Sequence, residues 1–437
     1  MSDQRITLPW CNGDITVELP AGWHVAGILE PAGLPPVGDP LLETRRSLQQ
    51  PIGSPGLAEL ARPGTRVAVV VDDGSRPTPV NCIFPAVIEE LARAGVAPGD
   101  VTVVAALGVH RAMAEEELAE RIGMPFSGGL SWENHDCDDP ARLAALGTTQ
   151  RGTPVLVNRT VAQADLVVSI GCIEPHIIAS FGGGYKNIVP GVAGRATIAH
   201  NHSLNCTPAT FNMIGQPIER NPMRLDLEEA GRMLKPRVFV VNAVLNSAVQ
   251  VVRIEAGDPI AAHRAGVETS AALYGVRVPA PADLVITNSC PMDQDLRQGV
   301  KALGNTIRAV RRGGVQLTLV RADEGVGVFG LANRKLPVGR AALRRLAPLL
   351  LRAVPRIKMK GMGEEDRFFL YFALQAMRHG TLLMYGPTIP AGVRENLPFV
   401  DFVATAEEGL ARARQRLPER AEVVVFPHGG VTYPIME

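Results

Sequence analysis

Apolar runs that alternate with amphipathic stretches organise most of this chain. Between residues 5 and 19 apolar and polar positions alternate around Cys11-Asn12-Gly13-Asp14, which predicts a hairpin. Residues 31–55 are rich in proline and glycine and read as a connecting loop over the surface. The β-branched run at 67–71, ending at Asp72, predicts a strand buried on both faces. Residues 78–95 carry apolar positions at helical spacing and stop at a glycine. A strand at 101–107, a short helix at 113–122 and strands at 166–170 and 238–245 follow. Beyond Val278-Pro279-Ala280-Pro281 the pattern restarts, with strands at 283–288, 315–320, 382–385 and 423–426 and a helix at 299–311. Strands alternating with helices predict the α/β class: two α/β domains with mainly parallel sheets and an active-site cleft between them. The expected division is 1–278 and 279–437, the last segment being free to pack back on the first domain.

Composition narrows the function classes. With 437 residues, 46% hydrophobic and 20% charged, the chain can bury more than one core. Lysine plus arginine (44) equals aspartate plus glutamate (44), which argues against nucleic acid or an acidic membrane as a partner. No apolar stretch reaches the length of a membrane helix, and the N-terminus shows no secretory pattern. Cys11, Cys82, Cys137, Cys172, Cys206 and Cys290 are scattered without a CxxC pair, as expected of reduced thiols in the cytoplasm.

Ligands of α/β sheets gather where strands run into their loops. Four such places carry polar groups. Asp72-Asp73-Gly74-Ser75-Arg76-Pro77-Thr78-Pro79 ends a strand in two carboxylates and enters a helix beside an arginine, an anion site or simply a capped acidic turn. His110 and Arg111 follow the next strand, where a histidine can act as a general base. Glu174-Pro175-His176 leads into Gly182, Gly183 and Gly184, then Tyr185 and Lys186, with His200 and His202 further on. Three glycines let a backbone approach a bulky ligand, and a lysine there can meet a phosphate or bond a cofactor. In the second half Arg297, Gln298 and Lys301 lie within one helical turn, as a solvated basic face or a carboxylate clamp. No GxxxxGK[ST] or GxGxxG occurs. His135 with Asp136, Asp138 and Asp139 reads as a polar loop.

DDGSRPTP at 72–79, GVHR at 108–111, PHIIASFGGGYKNIVPG at 175–191, NH at 201–202 and QGVK at 298–301 together resemble the nickel-dependent lactate racemases, the LarA-type 2-hydroxyacid racemases and epimerases. The resemblance spans most of the chain. It implies an isomerase using nickel in a pyridinium-3-thioamide-5-thiocarboxylic acid mononucleotide, the nickel pincer, tethered to Lys186. It further implies that His202 binds the metal, with His200 in reserve. Asp73, Arg76 and the three glycines would hold the nucleotide, with His110 and His176 as the acid–base pair. Gln298 and Lys301 would act on the substrate, with Arg111 and Arg297 beside them. Cofactor-biosynthesis proteins are implied partners.

Arg297 stands where an aromatic residue is expected in the lactate enzymes, and an arginine suits a second carboxylate. Malate is therefore the expected substrate. Ile178 replaces an expected phenylalanine, and Phe368 is the nearest substitute for an aromatic residue over the site. The alternatives are a racemase of lactate or another short 2-hydroxy acid, a sugar-acid epimerase, or a non-catalytic carrier of the cofactor.

Overall fold

The computed structural model describes residues 4–10, 13–327, 329–336, 338–355 and 364–436. The chain forms two compact units. One comprises Met1–Ala32, Asn205–Gly215 and Tyr274–Glu437; the other comprises Gly33–Leu204 and Gln216–Leu273. The division therefore differs from a simple cut at 278/279. The physical reason is the His24–Ile28 strand, which adds in parallel to Glu422–Phe426 at the far end of the chain.

The unit built on Gly33–Leu204 holds a six-stranded sheet in the order Val251–Gly257, Arg237–Leu245, Leu166–Cys172, Val67–Asp72, Val101–Ala106, Ser131–Asn134. Its neighbours are parallel except Val251–Gly257, which returns antiparallel to Arg237–Leu245. All six residues of Val67–Asp72 are buried, as a strand covered on both faces requires. The Val80–Arg93 helix lays Val80, Ile83, Phe84, Val87 and Leu91 against this sheet at helical spacing. Burial of such side chains stabilises by roughly 1.5–3 kcal/mol each.

The other unit carries a wholly parallel sheet in the order Asp401–Val403, Thr381–Tyr385, Val310–Leu319, Ala282–Asn288, Glu422–Phe426, His24–Ile28. The hairpin expected at 5–19 is present as Arg5–Trp10 and Gly13–Glu18, with Cys11 and Asn12 outside the described residues. Its Ile6, Leu8, Val17 and Leu19 join Leu284, Leu317 and Val423 in one core.

Two expectations change. The 31–55 loop contains the Pro40–Gln49 helix, in which Asp39 accepts from the amides of Leu41 and Leu42. Pro40 sits at the first helical turn, where a missing N–H costs nothing, so the proline starts a helix. The single helix at 299–311 is instead Leu296–Gly299, Lys301–Thr306 and a 3₁₀ turn at Ile307–Ala309. Val310 already belongs to a strand, and Gly313 (φ +86°) lies within a register shift rather than at a boundary. Among the described residues, no helix is long and apolar enough to cross a membrane. Cys82, Cys137, Cys172, Cys206 and Cys290 are free thiols.

Candidate active site

Val67–Asp72, Val101–Ala106 and Leu166–Cys172 are parallel and close in the sheet order, so the loops leaving their carboxyl ends lie together. Gly108 N donates to Gly191 O at 2.8 Å and ties the histidine loop to the glycine-rich one. Three of the four motifs thus meet within one unit.

Asp73 is committed to the protein. Its Oδ1 accepts from the amide and hydroxyl of Ser75 at 3.0 and 2.5 Å, and its Oδ2 meets His110 Nδ1 at 2.5 Å. Burial alone would raise this carboxyl, but the bonds from His110 and Ser75 outweigh it and hold it well below the usual range. A carboxylate acceptor fixes the proton of His110 on Nδ1 and leaves the Nε2 lone pair as the basic site. Next to it Asp72 pairs with Arg121 and takes the hydroxyl of Thr78, each at 2.5 Å. Arg76 Nη1 donates to Glu174 at 2.5 Å. The ribose and phosphate roles implied for Asp73 and Arg76 gain no support from these placements.

His176 has the opposite tautomer. It lies on a two-residue strand paired with Ser180–Phe181, and Asn221 pins that turn through Ile178 O and Ser180 Oγ. Its Nδ1 accepts the amides of Ile178 and Ala179, both at 3.2 Å. An accepting Nδ1 puts the neutral ring's proton on Nε2, so this imidazole presents a donor where His110 presents a base.

Lys186 is half-buried on a short 3₁₀ turn, Gly184–Asn187. Burial first, then Arg76 and Arg224, pull its amine from the usual 10.5 down to about 7, against the opposing charge of Glu174. The glycines before it answer to the protein's own packing. A Cβ on Gly183 (φ +75°) would stand 2.6 Å from Ile173 Cγ1, and one on Gly184 (φ +61°) 2.9 Å from Arg224 Nη2 and Pro259 O. Internal crowding and left-handed backbone thus demand glycine at 183 and 184 on their own account.

His200 and His202 lie on the Arg195–Ser203 helix rather than in a loop. Two residues apart on a helix, they point to different sides. His200 Nδ1 meets Thr153 Oγ1 at 2.8 Å, and that hydroxyl donates to the buried Asp226, which Thr149 and Asn201 also bind. His202 Nδ1 must donate to the carbonyl of Ile198, at 2.9 Å, which leaves its lone pair on Nε2, the usual arrangement of an imidazole ligand.

Arg111 turns to Glu117 (2.7 Å) and the carbonyl of Ala112, and its side chain is 72% exposed, so its implied substrate role gains no support. His135 is buried against Ala193 O, and Asp138 pairs with Arg195. Among the described residues, no cluster of three or more metal-ligating side chains occurs. In the other unit Arg297 and Gln298 lie on Leu296–Gly299, capped by Asp295, and Lys301 starts the next helix with Nζ 4.0 Å from Met292 Sδ. Gln298 Oε1 is buried with no hydrogen-bond partner among the described residues. Phe368 packs against Phe369 and Phe372. Asn221, Arg224 and His263 escaped sequence reading because no local pattern ties them to the glycine-rich segment they help to hold, and Arg121 because none ties it to Asp72 and Arg76.

Residues 11–212 match the lactate racemase N-terminal domain. A lactate racemase of Lactiplantibacillus plantarum is 28% identical over 392 residues, 88% of each chain. One of Thermoanaerobacterium thermosaccharolyticum is 30% identical over 288 residues, 65% of this chain and 67% of that one. The fold of the lactate racemase apoprotein from the same organism matches with a TM-score of 0.82 at 23% identity, covering 99% of this chain and 100% of the other. A crystal structure of a Thermotoga maritima protein matches at 0.65 and 16% identity, covering 92% and 99%. An α/β chain with these relatives is an isomerase of the racemase class. It belongs to the lactate racemase family.

Proposed function

We propose that this racemase interconverts the enantiomers of a small 2-hydroxy acid, malate first among them, with a nickel-pincer nucleotide tethered to Lys186. The observation that carries the reading is an amine drawn down to about 7 in the same loop cluster as the Asp73–His110 pair. A neutral amine is the form that makes a covalent bond, and His202, with its lone pair on Nε2, fits a metal. When bound, the pincer nucleotide supplies a reversible acceptor for hydride.

Removing the α-hydrogen as a proton would leave a carbanion beside a carboxylate. Leaving as hydride, it yields a neutral ketone group, and so a 2-oxo acid, once the hydroxyl proton is also gone. His110 Nε2 takes that proton, and Asp73 stabilises the resulting imidazolium. On the other face His176 presents its Nε2–H to the substrate oxygen, and gives that proton up only as its Nδ1 takes one from solvent, so the ring stays neutral. That exchange moves the ring proton to Nδ1, releases the two amides Nδ1 now accepts, and leaves the Nε2 lone pair as base for the opposite enantiomer. Gln298 and Lys301 hold the substrate carboxylate, and Arg297 suits the second carboxylate of malate. A cytoplasmic site of action, with biosynthetic proteins loading the cofactor, belongs to the same proposal.

Co-expression with the pincer-biosynthesis proteins, followed by intact-mass spectrometry and peptide mapping, tests the tether. A nickel-containing adduct on Lys186 is expected, and an unmodified lysine in folded protein with active biosynthesis proteins overturns it. The loaded protein is expected to racemise malate faster than lactate. The relatives are lactate racemases, and a faster lactate rate would remove malate.

A further inference from the structure

Beneath the glycine loop lies a buried ionic cluster drawn from two helices, Pro222–Arg232 and Ala261–Tyr274. Arg224 is fully buried. Its Nη1 donates to Phe181 O at 3.4 Å and Gly183 O at 3.2 Å, and its Nη2 to Gly183 O at 3.1 Å. His263 Nε2 lies 2.8 Å from Gly182 O and 2.5 Å from Arg224 Nη2, and its Nδ1 lies 2.9 Å from Arg264 Nη1. Phe181 O and Gly183 O are thereby turned onto the Arg224 guanidinium, Gly182 O faces the His263 ring, and Gly184 N is held by Asn242 at 2.8 Å. The last of those carbonyls, Gly183 O, also accepts the backbone N–H of Lys186 at 3.2 Å.

The charges beneath the loop do not cancel. Arg224 and Arg264 share one carboxylate, Glu228, and burial keeps His263 neutral, so a net positive charge remains. A carbonyl clamp alone needs donors, not an excess of charge. We propose that Arg224 is a positioning residue for Lys186: it fixes the Phe181 and Gly183 carbonyls and keeps positive charge beside the amine, so that the amine stays neutral and nucleophilic. This rests on the reading of Lys186 as the tether. The charged and titratable groups around that amine are Arg76, Glu174, Arg224 and Cys172; Arg76 and Arg224 favour the neutral form, and Glu174 and Cys172 oppose them.

Competitive acetylation of the apoprotein with acetic anhydride across pH, quantified on the Lys186 peptide, reads the amine directly and needs no cofactor. The wild-type midpoint is expected near 7. Arg224→Gln is expected to raise it by about one pH unit, and Arg224→Lys, which keeps the charge, to restore it. A folded Arg224→Gln protein with the wild-type midpoint overturns the inference. If that variant does not fold, Glu228→Gln takes its place: it frees positive charge and is expected to lower the midpoint, and no fall overturns the inference. Adduct formation on wild-type Lys186 is a separate measurement. An adduct with an unchanged Arg224→Gln midpoint sinks only the role of Arg224, and a missing adduct sinks only the tether.

Discussion

His110 and His176 are the same side chain set to opposite tasks by what their Nδ1 atoms touch. A carboxylate on one and two amides on the other fix the proton at Nδ1 and Nε2 respectively. Nitrogen-15 NMR of the apoprotein is expected to report those two tautomers, and a common tautomer would refute the assignment. Asp73→Asn keeps the shape of the pair but removes the charge that stabilises an imidazolium. In the loaded enzyme kcat is expected to fall about a hundredfold or more with KM little changed. Lys186 carries a pH signature of its own. Its amine titrates at about 7 when folded, against 10.5 in the free side chain. Between those values the unfolded chain holds the extra proton, so stability rises with pH across that window and the full cost applies below it. Lys186→Met removes the cost. It is expected to be more stable than wild type near pH 6, by on the order of a few kcal/mol, with the advantage fading as pH approaches about 10. Equilibrium urea denaturation at several pH values measures this.

At the scale of elements, the glycine-rich segment owes its shape to helices distant in sequence. Gly231, on Pro222–Arg232, is the clearest case. A Cβ there would stand 2.2 Å from the ring of Tyr185, the residue before Lys186. Tyr185 is itself buried, its phenol pushed up to about 12 by that burial. Gly231→Ala therefore pushes an aromatic ring into the loop and is expected to cost roughly 1–3 kcal/mol in thermal or chemical denaturation. The Val67–Asp72, Val101–Ala106 and Leu166–Cys172 strands were legible because a doubly covered strand must be apolar throughout. The Arg195–Ser203 helix was not, since its exposed and buried faces hardly differ in polarity and Gly194 caps it without a side chain.

At the scale of the molecule, chain order and spatial order part company. His24–Ile28 closes the edge of a sheet whose other strands begin at Ala282, and Trp23 with the hairpin covers that sheet's core. Removing residues 1–32 would expose the Glu422–Phe426 edge together with Leu284, Leu317 and Val423. The shortened chain is expected to be recovered mainly in the insoluble fraction, because an uncovered apolar edge strand pairs with its neighbours in solution. Recovery as a soluble protein with the wild-type melting temperature would contradict this role of the N-terminus.

The amino-acid pattern by itself determined the α/β class, most strands of both sheets and the polar loops at their ends. These follow from local periodicity and from where a chain must turn polar to leave a core. It also carried the resemblance through DDGSRPTP, GVHR and the glycine-rich segment. Only the tertiary structure decided how those groups are used: that Asp73 binds His110, that Arg76 takes Glu174, and that Arg224 and His263 hold the carbonyls before Lys186. Tautomers, buried charge and the crowding that demands glycine all depend on atoms brought together from distant parts of the chain. No local pattern encodes such distances.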